Sequence, residues 1–277
     1  MVNLKALRKS AAKQLLSAGN DSPTADVDCI LSSLGFSKSD IIIGDKEVTS
    51  QTQEKFNNAL ERLLLGEPVQ YIVGGCEFMS LWFKVNSSTL IPRCDTEILV
   101  EQLIEKLNGK PVNILDIGTG SGCIAVSLAH YLPKAKILSV DISESALKTA
   151  KENALLNKVN HRCTFEKCDI MQQIPDFLPD VIVSNPPYIP KCDIDSLDRK
   201  VKDFEPLSAL IGGGEDGLGF YRRIAADIPL SPKGILAFEV GIGQAQEVAE
   251  IMSQRFENIQ IKKDLNGIDR TVMGELK

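Results

Sequence analysis

The tetrapeptide Asn185-Pro186-Pro187-Tyr188 directly follows the apolar run "DVIVS" and gathers residue types that can do chemistry at one point of the chain. Proline fixes φ and has no N–H to donate. The polar groups left to face a ligand are acceptors, the Asn185 side-chain oxygen and the Pro186 carbonyl, with the flat face of Tyr188 beside them. Two fixed acceptors next to a ring can hold both N–H bonds of a planar –NH2 group, such as an amide or an exocyclic base amine. The lone pair of such a nitrogen is delocalised and weakly nucleophilic. Acceptors that draw on both protons favour positive charge growing on nitrogen as an electrophile arrives, so they act more strongly on the transition state than on the ground state. Asn185, Pro186 and Tyr188 are the candidate catalytic residues, and Asn185, Pro186, Pro187 and Tyr188 together form the candidate substrate site.

A second constellation lies upstream. "NILDIGTGSGCIA" sets Gly118, Gly120 and Gly122 between a strand pattern and a helix pattern. Glycines there let the backbone pass close to a ligand and take positive φ, and the helix start beyond them presents free N–H groups. Asp141 ends the next strand pattern, a place from which an acid accepts hydrogen bonds from both ribose hydroxyls. Loop and acid together point to an adenosine-bearing cofactor. NAD prefers G-x-G-x-x-G to seat its pyrophosphate, whereas the spacing here is G-x-G-x-G. S-adenosylmethionine has no phosphate, and Asp116, just before the loop, suits its ammonium group. Asp169, after the third strand pattern, is placed to reach an adenine amino group. The expected cofactor is therefore S-adenosylmethionine, with a sulfonium methyl as the electrophile. The candidate residues for it are Asp116, Gly118, Thr119, Gly120, Ser121, Gly122, Asp141 and Asp169. No metal is expected, because the chain has two histidines and its seven cysteines include no C-x-x-C pair.

These residues need a frame to hold them. From Thr96 onward, helix patterns ("TEILVEQLIEKL", "GCIAVSLAHYL", "SALKTAKENALLN", "GFYRRIAADIPL", "AQEVAEIMSQRF") alternate with strand patterns ("VNILDIG", "AKILSVDIS", "CTFEKCDI", "PDVIVSN", "GILAFEVG"). Two further strands are expected near Gln260 to Asp264 and Arg270 to Met273. Such alternation predicts an α/β fold with a mostly parallel sheet covered on both faces. Ligands of these sheets bind beyond the carboxyl ends of the strands, which would place the glycine loop, Asp141 and Asn185 around one crevice. Upstream, three helices with short connections are expected over residues 1 to about 70: one ended by Gly19 and Asn20, one started by Ser22 and Pro23, and one capped at Thr49 or Ser50. Between the two parts, "EFMSLWFKVNSSTLIP" reads as a β-hairpin with its turn at "NSS" and with Trp82 packed. Arg93 and Glu97 read either as closing over a ligand or as a solvent-facing ion pair. Gly212 to Gly219, "GGGEDGLG", reads as a mobile loop.

The 277 residues are 43% hydrophobic and 25% charged, with a formal net charge of −6, as befits a soluble globular chain. That acidic balance is a poor match to a protein that grips a long duplex by its phosphates. No apolar run approaches the eighteen or so residues of a membrane span, and the first twenty residues lack the apolar core of a signal peptide. The cysteines read as reduced thiols of a cytoplasmic protein.

With "SNPPY" following "DIGTGSG", the chain resembles the amino-group methyltransferases that use S-adenosylmethionine. "GEPVQYIVGGCEFMSLWFKVNSSTLIPRCDTEILVE", "EPLSALIGGGEDGLGFYRRI" and "DLNGIDRTVMGE" are similar to the HemK/PrmC family, a likeness that covers most of the chain and is least marked in its first 65 residues. The resemblance implies a Rossmann-like S-adenosylmethionine-dependent methyltransferase domain with a C-terminal antiparallel strand, preceded by a small helical domain and a β-hairpin. The expected bounds are residues 1–75 for the helical domain, which would dock the substrate protein, 76–92 for the hairpin linker and 93–277 for the methyltransferase domain. It further implies methyl transfer to the side-chain amide nitrogen, N5, of the glutamine in the Gly-Gly-Gln motif of peptide chain release factors. Gly118 to Gly122, Asp141, Ile170 and Asn185 would line the cofactor, and Asn185 to Tyr188 would hold the glutamine amide. One departure is Cys94, which stands where the family usually has proline in "IPRPDTE"; it is expected to loosen that turn without abolishing function, since Arg93, Asp95 and Glu97 remain. The alternative is an adenine-N6 or guanine-N2 methyltransferase acting on nucleic acid, which shares the Asn-Pro-Pro-Tyr logic but needs a base-reading element and a basic path for phosphates. The expected form is a cytoplasmic monomer that acts on release factors, with no membrane and no direct nucleic-acid contact.

Overall fold

In the computed structural model, which describes residues 2–277, the chain divides into two units, Met1–Gly75 and Cys76–Lys277. The first is helical. Strand β1 (Val2–Asn3) pairs antiparallel with β2 (Glu47–Val48), and around them lie α1 (Leu4–Ser17), α2 (Pro23–Ser33), α3 (Lys38–Ile43), α4 (Ser50–Leu64) and α5 (Val69–Val73). The sequence reading found α1, α2 and α4 and missed the short α3 and α5. The start of α3 is nonetheless written locally, as a capping box in which Ser37 Oγ accepts from Asp40 N while the Asp40 carboxylate accepts from Ser37 N. Thr49 is the cap of α4, its hydroxyl accepting from Thr52 N at 3.2 Å. Leu4, Leu15, Val27, Ile30 and Phe56, recurring at helical spacing, form this unit's own core.

The hairpin consists of β3 (Gly75–Phe78) and β4 (Leu81–Lys84). Its turn is at Met79–Ser80, not at the expected Asn86–Ser88. Both residues have positive φ, 49° and 57°, the twist a two-residue hairpin requires, but neither is the glycine or asparagine that usually signals it. The Asn86 segment forms a separate turn, with Thr89 N donating to Asn86 O at 3.0 Å. Packing here is carried by Phe78 and Phe83, whose rings meet edge to face at 5.9 Å, whereas Trp82 is 49% exposed. The expectation of a packed Trp82 is corrected accordingly.

The large sheet contains β5 (Asn113–Ile117), β6 (Lys136–Asp141), β7 (Cys163–Lys167), β8 (Val181–Ser184), β9 (Ile235–Glu239), β10 (Phe256–Lys263) and β11 (Asp269–Leu276), in the order β10-β11-β9-β8-β5-β6-β7. Strands β5 to β9 pair in parallel, while β11 runs antiparallel to both β9 and β10. Both faces are covered. On one, α6 (Cys94–Leu107) and α7 (Cys123–Tyr131) bury Leu99, Leu103 and Val126, with α8 (Glu144–Leu156) adding Ala154. On the other, past the single turn α9 (Arg199–Lys202), α10 (Gly219–Asp227) and α11 (Ala245–Ser253) bury Tyr221, Ile224, Val248 and Met252. This double cover explains why β8 and β9 read as unbroken buried runs instead of alternating. From β5 the chain proceeds outward to β6 and β7 and then returns to β8 on the other side, which opens a crevice above the carboxyl end of β5.

Candidate active site

That crevice is open to solvent, and its empty space, the open solvent at its mouth included, amounts to about 1060 Å³. Gly118, Thr119, Gly120, Ser121 and Asp141 form one part of its wall, Asp169 and Ile170 a second, and Asn185, Pro186 and Pro187 a third. Three of the expected site residues, Asp116, Gly122 and Tyr188, are not in the wall.

The glycine loop is shaped by its backbone. Gly118 and Gly120 have φ of +73° and +55°, and a Cβ on either would meet nothing within 4 Å, so both border open space. Gly122, at φ +81°, serves packing: a Cβ there would lie 3.0 Å from Ala150 Cβ on α8. The N–H groups of Gly118 and Thr119 donate to Val140 O, and Gly120 N donates to Asp141 Oδ2 at 2.9 Å. The other Asp141 oxygen accepts from Ser143 N at 2.9 Å, while Ser143 itself caps α8. Asp141 therefore ties the loop to β6 and keeps lone pairs for the crevice; its burial raises its pKa. Asn153, fully buried, was not foreseen. Its amide donates to Ser121 O at 2.8 Å and to Lys84 O at 2.9 Å, and its oxygen accepts from Lys84 N.

Asp116 lies beneath the loop and is fully buried. One oxygen accepts from the Thr119 hydroxyl at 2.6 Å, and Oδ1 has no partner. Burial, seconded by the Asp141 charge, pushes its carboxyl up to about 7. S-adenosylmethionine fits these residues: open space beside two glycines for its backbone-hugging part, Asp141 for ribose hydroxyls, and under the loop a carboxyl with no cationic partner, whose field would favour the ammonium group. Asp169 turns its oxygens to Met171 N and to Gln172 Nε2, so its own chain already engages the carboxylate expected to meet adenine.

The Asn185 end is held from outside. Asn185 Nδ2 donates to Thr96 Oγ1 of α6 at 3.3 Å. Behind them Glu239 ends β9, 3% exposed, with Oε2 unpartnered; burial pushes its carboxyl up to about 7, while hydrogen bonding from Thr96 and Asn185 opposes the shift. The Tyr188 carbonyl accepts from Gln244 Nε2 at 3.0 Å, and Gln244 Oε1 accepts from Gly241 N at 3.1 Å. The Tyr188 ring lies against Gly241, where a Cβ would come within 2.9 Å of Cδ2; burial pushes its phenol up to about 12, so it stays neutral. Ile189 bridges to Ile211, and Gly212 N donates to Ile189 O at 2.9 Å. At Gly217 a Cβ would lie 2.3 Å from Tyr188 O. The segment Gly212 to Gly219, expected to be a mobile loop, is packed instead: Gly217 lets it press against the Tyr188 backbone, Gly212, Gly213 and Gly219 let it fold closely on itself, and it braces the tetrapeptide. Arg93 pairs with Glu205, whose side chain is 1% exposed, whereas Glu97 accepts from Met79 N and anchors the hairpin turn. Cys94 is the exposed first residue of α6.

Sequence reasoning missed Thr96, Asn153, Glu239 and Gln244. A signal existed for Glu239 alone: a charged residue closing the otherwise apolar strand "ILAFE" is costly unless it is partnered.

Comparison with known proteins agrees with this geometry. Residues 93–197 match the methyltransferase small domain, and residues 6–74 match the PrmC N-terminal domain. Among solved structures, a methyltransferase from Pyrococcus furiosus superimposes with a TM-score of 0.53 over 82% of this chain and 98% of that one, at 16% identity, a likeness of fold. A release factor glutamine methyltransferase of Thermodesulfovibrio yellowstonii is 40% identical over 82% of this chain and 83% of its own length. Another, of Koribacter versatilis, is 39% identical over 99% of this chain and 98% of its own length. Carried across the whole length, helical unit and sheet alike, that identity makes the chain a member of the release factor glutamine methyltransferase family.

Proposed function

We infer that the chain transfers a methyl group from S-adenosylmethionine to the amide nitrogen N5 of the glutamine in the Gly-Gly-Gln motif of peptide chain release factors. The cofactor supplies a methyl group on a positively charged sulfur, ready for attack by a weak nucleophile. The observation that carries the reading is the Asn185 amide: its nitrogen is turned to Thr96, which leaves Oδ1 as an acceptor at the crevice wall. Asn185 Oδ1 and the Pro186 carbonyl receive the two N–H bonds of the glutamine amide and gain strength as charge develops on nitrogen. The two prolines hold the carbonyl in place without competing donors, and the neutral Tyr188 bounds the site. Gly118, Gly120 and Asp141 seat the cofactor so that chemistry needs orientation more than activation.

All crevice residues fall between Ser88 and Phe220, and the helical unit supplies none of them. Docking of the release factor is the role proposed for that unit. No helix among the described residues is long and apolar enough to cross a membrane; a cytoplasmic monomer working beside the translation machinery is the proposed setting. One experiment tests these statements together: labelled methyl transfer to an intact release factor, its Gly-Gly-Gln→Gly-Gly-Ala variant, a short Gly-Gly-Gln peptide and duplex DNA. Label on the intact factor and not on the alanine variant is expected. Label on DNA would instead support nucleic acid as the acceptor. A chain lacking residues 1–75 that binds cofactor and still methylates the intact factor at the full rate would remove docking from the helical unit.

A further inference from the structure

The Asn185 side chain has two faces that differ by a proton pattern, one a carbonyl and one an –NH2, and rotation by half a turn exchanges them. Only one of the two orientations presents an acceptor to the substrate amide. Thr96 cannot make the choice, because a hydroxyl both donates and accepts. Glu239 can. It closes β9 beside β8, in the strand pairing that sets Ser184 opposite Phe238, and the Thr96 hydroxyl and the Asn185 side chain both face it. An ionised carboxylate only accepts.

We propose that Glu239 is a positioning residue for methyl transfer: its carboxylate, directly and through the Thr96 hydroxyl, holds the Asn185 –NH2 inward and so keeps Oδ1 turned toward the acceptor amide. This rests on the reading of Asn185 as the amide receptor. Tyr221 OH donates to the Glu239 backbone carbonyl at 2.9 Å and fixes the end of the strand. Oε2 remains without a partner, so the carboxylate is spared for this task and not consumed by an ion pair. The other groups that face it are Asp95 from α6, Arg270 from β11, Tyr188 from the loop after β8, Tyr221 from α10 and Cys123 from α7. Arg270 is itself committed to Asp95 at 2.9 Å and Asp264 at 3.1 Å.

A protonated Glu239 gains a donor and can hold Asn185 either way round, so kcat should fall on the acid side of neutrality while cofactor affinity stays level. Burial already places the carboxyl near neutrality. The test is Glu239→Gln, which keeps the shape and permits both orientations. It is expected to lower kcat roughly fivefold to tenfold, leave KM for the release factor and the dissociation constant of S-adenosylhomocysteine within about twofold, and flatten the acid limb of the kcat profile. Combined with Asn185→Ala it should cause no further loss, because both act through one side chain. Wild-type kcat with an unchanged pH profile, or a loss that adds fully to that of Asn185→Ala, would overturn the proposal. If Glu239→Gln does not fold, the kcat profile of the unaltered chain decides instead: an acid limb near neutrality supports the proposal, and a profile flat across neutrality overturns it. Failure of the underlying reading has a different signature, an Asn185→Ala single variant with wild-type turnover.

Discussion

At the Gly118–Asp141 end of the crevice the backbone makes the shape; at the Asn185–Tyr188 end, groups from neighbouring elements make it. In the first, glycines open space, carbonyl-bound N–H groups fix the loop, and partners are close in sequence, as with Gly120 N and Asp141, 21 residues apart. In the second, Asn185 leans on Thr96 from 89 residues away and the Tyr188 carbonyl on Gln244 from 56 away. The difference follows from the tasks. A loop that accommodates a cofactor needs room and a few backbone donors, which a short motif can encode. A flat amide that must present one of its two faces needs atoms from outside its own segment. Side-chain substitutions should therefore act on chemistry at one end and on cofactor affinity at the other.

The sharpest way to break that contrast is Asn185→Ala. It removes an acceptor whose bond strengthens in the transition state, about 1.5–3 kcal/mol, or roughly tenfold to a hundredfold in kcat. Cofactor affinity, measured by calorimetry, should change much less. Near wild-type turnover would remove the amide-receptor role.

Gly217→Ala comes next. A methyl group there would sit 2.3 Å from Tyr188 O and 3.1 Å from Pro190 N, at φ +77°. Overpacking of this kind costs about 1–3 kcal/mol, and the backbone of the tetrapeptide is what must give way. We expect kcat to fall about tenfold with cofactor binding intact. An unchanged kcat would mean that displacement of the Tyr188 carbonyl does not reach Asn185.

Asp141→Ala tests the opposite end. It removes the acceptor of Gly120 N and Ser143 N along with the lone pairs left for ribose, and at a crevice open to water a hydrogen bond contributes about 0.5–1.5 kcal/mol net. Cofactor dissociation should rise severalfold to about tenfold, and KM for the release factor should hold. Equal loss of both would show that its hold on the loop outweighs its hold on the ligand.

Much of this architecture was legible in the sequence, and the exceptions share a cause. Most of the sheet is legible because β5, β6, β8 and β9 are local apolar runs between turn residues, and the glycine loop because three glycines within five residues mark its positive φ values, although the groups that hold it lie further along the chain. The hairpin turn escapes sequence reading because Met79 and Ser80 take positive φ without the residue types that favour it. "GGGEDGLG" was read as slack because glycine means freedom in isolation. Its close approach to Tyr188 depends on a contact partner that no short-range pattern contains. Thr96, Gln244 and Asn153 are ordinary helical or loop residues until the fold sets them against a backbone group or an amide.

Asp116 gives the smallest effect and the clearest sign. Burial raises its folded pKa to about 7 from an ordinary 3.8, so the folded protein holds a proton there that the unfolded chain has already released. Stability is undiminished below the unfolded value and declines as pH rises through the folded one. Replacing the carboxylate with an amide, Asp116→Asn, keeps an acceptor for the Thr119 hydroxyl and removes the charge. The variant should melt a few degrees above the parent at pH 8, at about 2–4 °C per kcal/mol for a domain of this size, and with it near pH 4, where the parent's carboxyl is protonated when folded. Added S-adenosylmethionine should narrow the gap at pH 8 by raising the parent's melting temperature more than the variant's, because a cation over the loop offsets the buried charge only where that charge exists. A gap that persists unchanged with the cofactor present would mean that Asp116 supports the loop mechanically and that its charge plays no part in holding the cofactor's ammonium group.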